Sequence, residues 1–317
     1  MKGVGRMKEM FEKLPEMFHV TNVQAATIWT NPQSARAEDE YGISSPTDIP
    51  KWVNSLTYEQ GLALCNDNLV QSQTLYGEPV LVLEEEGEWA HVIAPFQPSK
   101  KDKRGYPGYI PIRQLTRVNK ENWLQDKYSV VIAKDARLED PDEQISMQLS
   151  YLTILPYLDE DDIHVYVQTP TGKQQIAKEK TIIVANEAGI EPGSGEDIVA
   201  AGLSFIGLDY FWGGMSSFGY DCSGLAYAAH KANGYWIARD AGDQADAGEE
   251  IAFEKIEPGD LLFFAYQEGK GEIHHVGIYK GNGEMLHSPQ TGKGIEITPL
   301  KGTKYERELC AARRYWR

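Results

Sequence analysis

The fold of the C-terminal part of this chain is decided by the stretch Tyr210-Phe211-Trp212-Gly213-Gly214, which is followed closely by Gly219-Tyr220-Asp221-Cys222-Ser223-Gly224-Leu225. Cys222 comes directly after a glycine-rich turn, and a helix-forming run over residues 225–232 follows it. This order predicts a thiol at the amino end of a helix, where unpaired backbone N–H groups and the helix dipole favour the thiolate. Because a thiolate attacks carbonyl carbon atoms, the pattern indicates a nucleophilic cysteine rather than a buried structural one.

Two histidines follow on predicted strands, one in His274-His275-Val276-Gly277-Ile278-Tyr279 and one at the end of Glu284-Met285-Leu286-His287. Strand alternation turns His274 and His275 to opposite faces. His274 shares the apolar, packed face, whereas His275 shares its face with Gly277, whose missing side chain leaves room for a substrate. We therefore predict His275 as the partner of the cysteine. A cysteine on a helix, a histidine on a strand and a polar residue that orients the histidine form a papain-like arrangement.

The composition of the whole chain argues against several classes of partner. Its 317 residues suggest two or three domains, and its hydrophobic fraction of 41% is that of a globular protein. The net charge of −16 offers no basic surplus to nucleic acid or to an anionic membrane, so neither is expected as a partner. No apolar run has the length of a membrane span, and residues 1–18 lack the apolar core of a signal peptide. We expect a soluble, monomeric, cytoplasmic protein, or a periplasmic or extracellular one if a leader preceded the numbered sequence.

The three cysteines show neither a disulfide framework nor the paired spacing of a zinc site. Cys65 and Cys310 lie in apolar runs and are predicted to be small buried residues. We predict no metal and no organic cofactor, because a nucleophilic cysteine needs neither.

Pattern and composition divide the chain into four segments. They are an N-terminal arm or short amphipathic helix at 1–18, a first β-rich unit at 19–117, a second at 118–188, and an α+β unit at 189–317. Both β-rich units consist of short strands separated by turn residues, which is typical of small barrels. One helix interrupts the first unit at about 57–64, where Thr57 and Gln60 form a capping box. In the last unit, helices precede the strands, which predicts an α+β domain.

The motifs of the last unit resemble those of the NlpC-type cell-wall cysteine peptidases. The matching motifs are the Cys222 stretch quoted above, Pro258-Gly259-Asp260-Leu261, His275-Val276-Gly277-Ile278-Tyr279 and Gly281-Asn282-Gly283. The first β-rich unit resembles a bacterial SH3-like barrel over 75–80, 87–92 and 108–111, and the second unit shares its order of strands and turns. The resemblance implies an α+β papain-like cysteine peptidase domain preceded by two all-β SH3-like barrels. This architecture is similar to that of the YkfC-like γ-D-glutamyl-L-diamino-acid endopeptidases.

The resemblance also assigns four residues to catalysis. Cys222 is implied to be the nucleophile, and His275 its base and later the acid that protonates the leaving amine. His287 is implied to orient and polarise His275. The hydroxyl of Tyr210 is implied to stabilise the developing oxyanion.

Five further residues are implied to contact the substrate. They are Asp221, Ser223, Tyr106, Gln71 and Trp212. In the subgroup, a tyrosine and an acidic residue of the first barrel hold the free amine of the substrate's L-alanine, and Tyr106 is the candidate for the tyrosine. Gln71 stands at the acidic position, so Asp221 is the alternative source of negative charge. Relatives often carry a serine where this chain has Ala241 or Gly242, so one substrate hydrogen bond is absent or replaced.

These expectations describe a cysteine endopeptidase for murein peptides. It hydrolyses the γ-D-glutamyl bond to meso-diaminopimelate or L-lysine in peptides with a free N-terminal L-alanine, in cell-wall turnover or recycling. One alternative is an amidase or acyltransferase on the same fold. Another is a wall-binding protein whose catalytic domain is weak or inactive, although an intact Cys222 and His275 argue against it.

Overall fold

The computed structural model describes residues 6–140 and 145–317. The elements of the N-terminal part are α1 (Arg6–Glu12), β1 (Met17–Thr21), β2 (Ala25–Trp29), α2 (Glu40–Ile43), α3 (Ile49–Ser55), α4 (Tyr58–Asn66), β3 (Val70–Leu75), β4 (Pro79–Glu86), β5 (Trp89–Ala94), β6 (Tyr106–Pro111), β7 (Leu115–Asn119) and α5 (Lys120–Trp123). The strands form an antiparallel sheet in the order β3-β2-β6-β5-β4-β1-β7.

The middle part repeats this architecture. Its strands are β8 (Lys127–Val131), β9 (Arg137–Asp140), β10 (Ile145–Gln148), β11 (Ile154–Glu160), β12 (His164–Thr169), β13 (Gly172–Ala177) and β14 (Thr181–Ala185). Their order is β10-β9-β13-β12-β11-β8-β14, so each sheet places its third, second, sixth, fifth, fourth, first and seventh strand side by side. Alternate residues of β12 are buried, because successive strand side chains point to opposite faces. The expectation of two all-β units is confirmed.

The connection between β2 and β3 contains more helix than the sequence predicted. The helix at about 57–64 is confirmed as α4, with its capping box between Thr57 and Gln60. The expectation of a single helix is wrong, because α2 and α3 precede it. Asp48 caps α3 by accepting a hydrogen bond from the Lys51 N–H at 3.0 Å. Helix α3 is short, so its local interactions alone leave it marginally stable. The burial of its Trp52 stabilises it.

The C-terminal part is the α+β unit that the sequence predicted. Its elements are α6 (Gly195–Leu203), β15 (Met215–Ser216), β16 (Gly219–Tyr220), α7 (Cys222–Lys231), α8 (Ala241–Ala245), β17 (Glu249–Glu250), β18 (Leu261–Ala265), the left-handed turn α9 (Tyr266–Gly269), β19 (Ile273–Gly281), β20 (Glu284–His287), β21 (Glu296–Pro299), α10 (Lys304–Glu308) and β22 (Leu309–Arg314). The order of the antiparallel sheet is β17-β22-β18-β19-β20-β21. Helices α6 and α7 pack against its central strands.

One apolar core joins the three parts. Phe11 of α1 contacts Phe96 of the first unit with ring centroids 5.2 Å apart, and Tyr128 of the second at 5.0 Å. Tyr227 of α7 donates a hydrogen bond to the Phe96 carbonyl at 2.7 Å. Both β-rich units are therefore fixed against the helix that carries Cys222. None of the helices in the described ranges is long and apolar enough to cross a membrane.

Candidate active site

Cys222 is the first residue of α7, and Asp221 forms the cap of this helix. The Asp221 carboxylate accepts hydrogen bonds from the Gly224 N–H at 2.7 Å and the Gly213 N–H at 3.0 Å. Gly213 has a φ of +76°, and a Cβ there would lie 2.5 Å from a methyl carbon of Val70. The glycine turn before the cysteine can therefore approach β3 of the first unit.

The thiol lies against β19. The backbone N–H of Val276 hydrogen-bonds the Cys222 sulfur, which places the sulfur next to the strand position that follows His275. Burial, and then the Asp221 carboxylate, raise the pKa of the Cys222 thiol to about 12. The Ser223 N–H at the helix terminus does lower the pKa of the thiol, as the sequence predicted, but desolvation outweighs it. Burial also lowers the pKa of His275 well below its usual value. Both shifts favour the neutral thiol and the neutral imidazole.

A chain of hydrogen bonds orients His275. Its Nε2 lies 2.7 Å from Nδ1 of His287, and Nε2 of His287 lies 2.9 Å from Oγ1 of Thr298. The Thr298 hydroxyl donates to Glu296 at 3.3 Å, so its oxygen accepts from His287. His287 then carries its proton on Nε2 and accepts at Nδ1 from His275. This leaves Nδ1 of His275 unprotonated, which is the form that can take a proton from a thiol.

The structure corrects the reasoning about the two neighbouring histidines. A Cβ at Gly277 would lie 2.7 Å from the sulfur of Met285, so Met285 rather than a substrate fills this space. His274 is not in the apolar core either, since it stacks on Tyr266 and lies 3.3 Å from a Glu308 carboxylate oxygen. The hydrogen bond between His275 and His287 supports the prediction that His275, and not His274, is the partner of Cys222.

Two tyrosines lie near the thiol. Burial, and then the charges of Cys222 and Asp221, hold the pKa of Tyr210 well above its usual value. Tyr305 of α10 packs its ring 5.4 Å from His275 and 5.3 Å from His287. Burial and the neighbouring Cys222 raise the pKa of Tyr305 to about 12. Both hydroxyls stay protonated and can donate hydrogen bonds. Sequence reasoning missed Tyr305, because no motif includes it.

A cleft of about 670 Å³ opens at Cys222, between the first unit and the α+β unit. Its lining includes all five residues that were expected to contact the substrate: Asp221, Ser223, Tyr106, Gln71 and Trp212. Trp212 is fixed by a hydrogen bond from its indole N–H to the Val70 carbonyl at 3.0 Å. Ala241 and Gly242 also line the cleft, and no atom lies within 4 Å of a Cβ placed at Gly242.

The carboxylate and hydroxyl beside Cys222 are engaged by a buried arginine. Arg239 donates to Asp221 at 2.6 and 3.2 Å, to Ser223 Oγ at 2.8 Å, and to Ser72 Oγ of the first unit at 2.9 Å. The charge of Asp221 is therefore balanced within the protein. The substrate contacts of Asp221 and Ser223 stay predictions. Sequence reasoning missed Arg239 as a structural partner of both residues.

Three oxygen acceptors converge in this cleft, and we call them the acceptor cage. They are Oε1 of Gln71, the hydroxyl of Tyr106 and the carboxylate of Asp240. Tyr106 is buried and donates to the Asp240 oxygens at 3.0 and 3.1 Å, while Oε1 of Gln71 lies 3.4 Å from its hydroxyl. Asp240 supplies the negative charge that Gln71 lacks. It directly follows Arg239 in the sequence, and no spacing pattern indicated its role.

The other two cysteines are not fully buried, which contradicts their prediction. Cys65 is half-exposed and lines the same cleft as Cys222. Cys310 is half-exposed too, and its thiol donates to the Phe263 carbonyl at 3.3 Å. The apolar runs around Cys65 and Cys310 indicated full burial, but in the structure each cysteine is partly exposed to solvent. No group of three or more His, Cys, Asp or Glu side chains in the described part of the chain is placed to hold a metal ion.

The helix-borne thiol, the strand-borne imidazole and the polar chain behind it define a papain-like cysteine peptidase fold and site. This chain belongs to the NlpC/P60 family. The NlpC/P60 family model matches residues 207–314, and the model described as YKFC SH3b2 domain matches residues 131–183.

Two curated relatives extend over most of the chain. A gamma-D-glutamyl-L-lysine dipeptidyl-peptidase of Bacillus subtilis (strain 168) is 46% identical over 299 residues, which cover 94% of this chain and 99% of the relative. A protein of the same name from Bacillus cereus (strain ATCC 10987 / NRS 248) is 38% identical over 301 residues, 93% of this chain and 90% of the relative. The crystal structure of an NlpC/P60 family protein from Bacillus cereus ATCC 10987 superposes with a TM-score of 0.91 at 37% identity, covering 94% of this chain and 99% of that one.

Proposed function

We propose that this protein is a cysteine peptidase that releases the dipeptide L-Ala-D-Glu from murein peptides with a free amino terminus. The bond cleaved is the γ-D-glutamyl bond to L-lysine or meso-diaminopimelate. The observation that carries the proposal is the acceptor cage, which lies in the same cleft as Cys222. A cage with one carboxylate and two neutral oxygens suits an ammonium group, which has three donors and no acceptor. The names of the two Bacillus relatives support the same bond.

In the acylation step, Sγ of Cys222 attacks the γ-carbonyl carbon while its proton moves to Nδ1 of His275. The two pKa shifts support a transfer that accompanies attack rather than a thiolate formed in advance. The tetrahedral intermediate carries a negative charge on oxygen, and the hydroxyl of Tyr210 donates to it. His275 then protonates the amine of the diamino acid, which leaves, and a γ-glutamyl thioester remains on Cys222.

In the deacylation step, water attacks the thioester and gives a proton to His275, which returns it to the sulfur as L-Ala-D-Glu leaves. His287 holds His275 in the tautomer that both steps require, through the 2.7 Å contact. The cleft needs no second chain, because the cage and the thiol belong to one polypeptide, and we infer a monomer.

The test is product analysis with L-Ala-γ-D-Glu-L-Lys and its meso-diaminopimelate counterpart. We expect the wild type to release L-Ala-D-Glu, and Cys222→Ala to release none. Cys222→Ser serves as a near-isosteric control for folding and substrate binding. If the wild type leaves both tripeptides intact while it cleaves glycan-linked stems or transfers acyl groups, the proposal is wrong and the amidase or acyltransferase alternative is favoured.

A further inference from the structure

The acceptor cage contains a cation from the protein itself. Lys101 belongs to the loop between β5 and β6 of the first unit. Its Nζ lies 2.7 Å from Oε1 of Gln71 and 3.3 Å from a carboxylate oxygen of Asp240, and it donates to the hydroxyl of Tyr106. It also lies 4.2 Å from the centre of the Tyr106 ring. Each of the three cage residues thus contacts one ammonium group.

The cage is held in place by contacts that do not involve the lysine. The amide nitrogen of Gln71 donates to Oγ1 of Thr30 at 2.7 Å and to Oδ1 of Asn68 at 2.8 Å, so its oxygen is turned into the cleft. The hydroxyl of Tyr106 is fixed by its bonds to Asp240. Acceptors that are ordered by other parts of the protein form a preorganised cation site. Gln71 is therefore ordered from outside the cage, and the bonds between Tyr106 and Asp240 do not involve the lysine.

The loop that carries Lys101 is anchored to the α+β unit by the residue before it. The Lys100 backbone N–H donates to Asp243 at 2.8 Å, and the Lys100 side chain pairs with Asp246. On the other side, Asp102 pairs with Arg104 at 2.7 Å. The Lys101 side chain is 42% exposed, so rotation of this side chain alone carries its ammonium group from the cage to solvent.

We propose that Lys101 is an internal competitor of the substrate: it occupies the position of the substrate's α-ammonium group until a free amino terminus displaces it, and it thereby weakens binding of the free-amine peptide. The inference rests on the proposed function, because the displaced and displacing groups are both ammonium ions in the same cage. A peptide with a free amine replaces every contact that the lysine gives up. An N-acetylated peptide cannot, and it leaves the lysine in place. Lys101 therefore raises KM for the free-amine peptide and does not take part in the chemical step.

The decisive variant is Lys101→Met, which keeps a long apolar side chain and removes the ammonium group. We expect KM for L-Ala-γ-D-Glu-L-Lys to fall about 2- to 10-fold, which is the effect of removing a partly exposed ion pair with one or two hydrogen bonds, while kcat is unchanged. Lys103→Met is the matched control in the same loop, since Lys103 is exposed and lines neither the cage nor the cleft. We expect it to leave both constants unchanged.

Binding to Cys222→Ala by calorimetry supplies a measurement that does not need turnover. Adding Lys101→Met should tighten binding of the free-amine tripeptide by the same 2- to 10-fold and leave binding of its N-acetylated form unchanged. Unchanged affinity, or a higher KM in the lysine variant, would overturn the inference while the proposed function stands. Absence of both cleavage and binding of the tripeptide in the wild-type cleft would overturn the proposed function itself.

Discussion

The hydrogen-bond chain behind His275 predicts that Thr298→Val impairs catalysis without touching the thiol or the substrate. Valine has nearly the shape of threonine but leaves the Nε2–H of the buried His287 without its acceptor at 2.9 Å. An unsatisfied buried donor costs about 1–3 kcal/mol. His287 avoids this cost by moving its proton to Nδ1, which forces His275 to carry its own proton on Nδ1. His275 then cannot accept the proton of Cys222, so we expect kcat to fall about 5- to 150-fold.

The assay is steady-state hydrolysis of L-Ala-γ-D-Glu-L-Lys over a range of pH. We expect KM to change little, because Thr298 lies behind the imidazoles and does not line the cleft. Thr298→Ser, which keeps the hydroxyl, should restore most of the activity. Thr303→Val is a control in the same region, where the hydroxyl donates to the Leu300 carbonyl and not to a histidine. A Thr298→Val enzyme with wild-type kcat, and a folded structure, would refute the tautomer argument.

Three further predictions concern the cage and the titrating groups. Asp240→Asn should lower kcat/KM for the free-amine tripeptide about 10-fold or more in the peptidase assay, because the cage loses its carboxylate, whereas Asp159→Asn, which changes an exposed carboxylate of the second unit, should have little effect. Alkylation of Cys222 by iodoacetamide should accelerate as pH rises from about 6 to 10, since the thiol pKa is raised to about 12; a rate already maximal at low pH would indicate a preformed ion pair. The pKa values of the buried His287 and His230 are lowered to about 4, so the unfolded chain binds protons that the folded chain does not. The free energy of unfolding should therefore fall as pH decreases from about 6.5 to 4, and His230→Gln should make this decline shallower in urea titrations.

The fold was largely predictable because its signals are local. The turn, cap and helix around Cys222 are contiguous in the sequence, and so are the strands that carry His275 and His287. Alternation and turn residues were sufficient to predict two β-rich units. Helix α3 was missed although Asp48 and Pro50 form a local start signal, because the helix is short and packs Trp52 against Trp29 and Phe211, which are distant in sequence.

Site residues could be predicted from the sequence only where they belong to a recognisable motif or family resemblance. Tyr106 and Gln71 were found through a family resemblance, and they lie in the cleft as expected. Asp240 and Lys101 meet them only because the first unit docks on the α+β unit. Likewise, the helix terminus alone indicated a lowered pKa for the Cys222 thiol. Desolvation raises this pKa instead, and desolvation depends on the packed structure.

The cation site in the Cys222 cleft should make a free amino terminus a requirement for efficient cleavage. The most direct test compares kcat/KM of the wild type for L-Ala-γ-D-Glu-L-Lys and for the same peptide N-acetylated. We expect acetylation to lower kcat/KM about 100-fold or more, because an acetylated amine carries no charge and cannot replace Lys101 in the cage. Equal rates for the two peptides would contradict it.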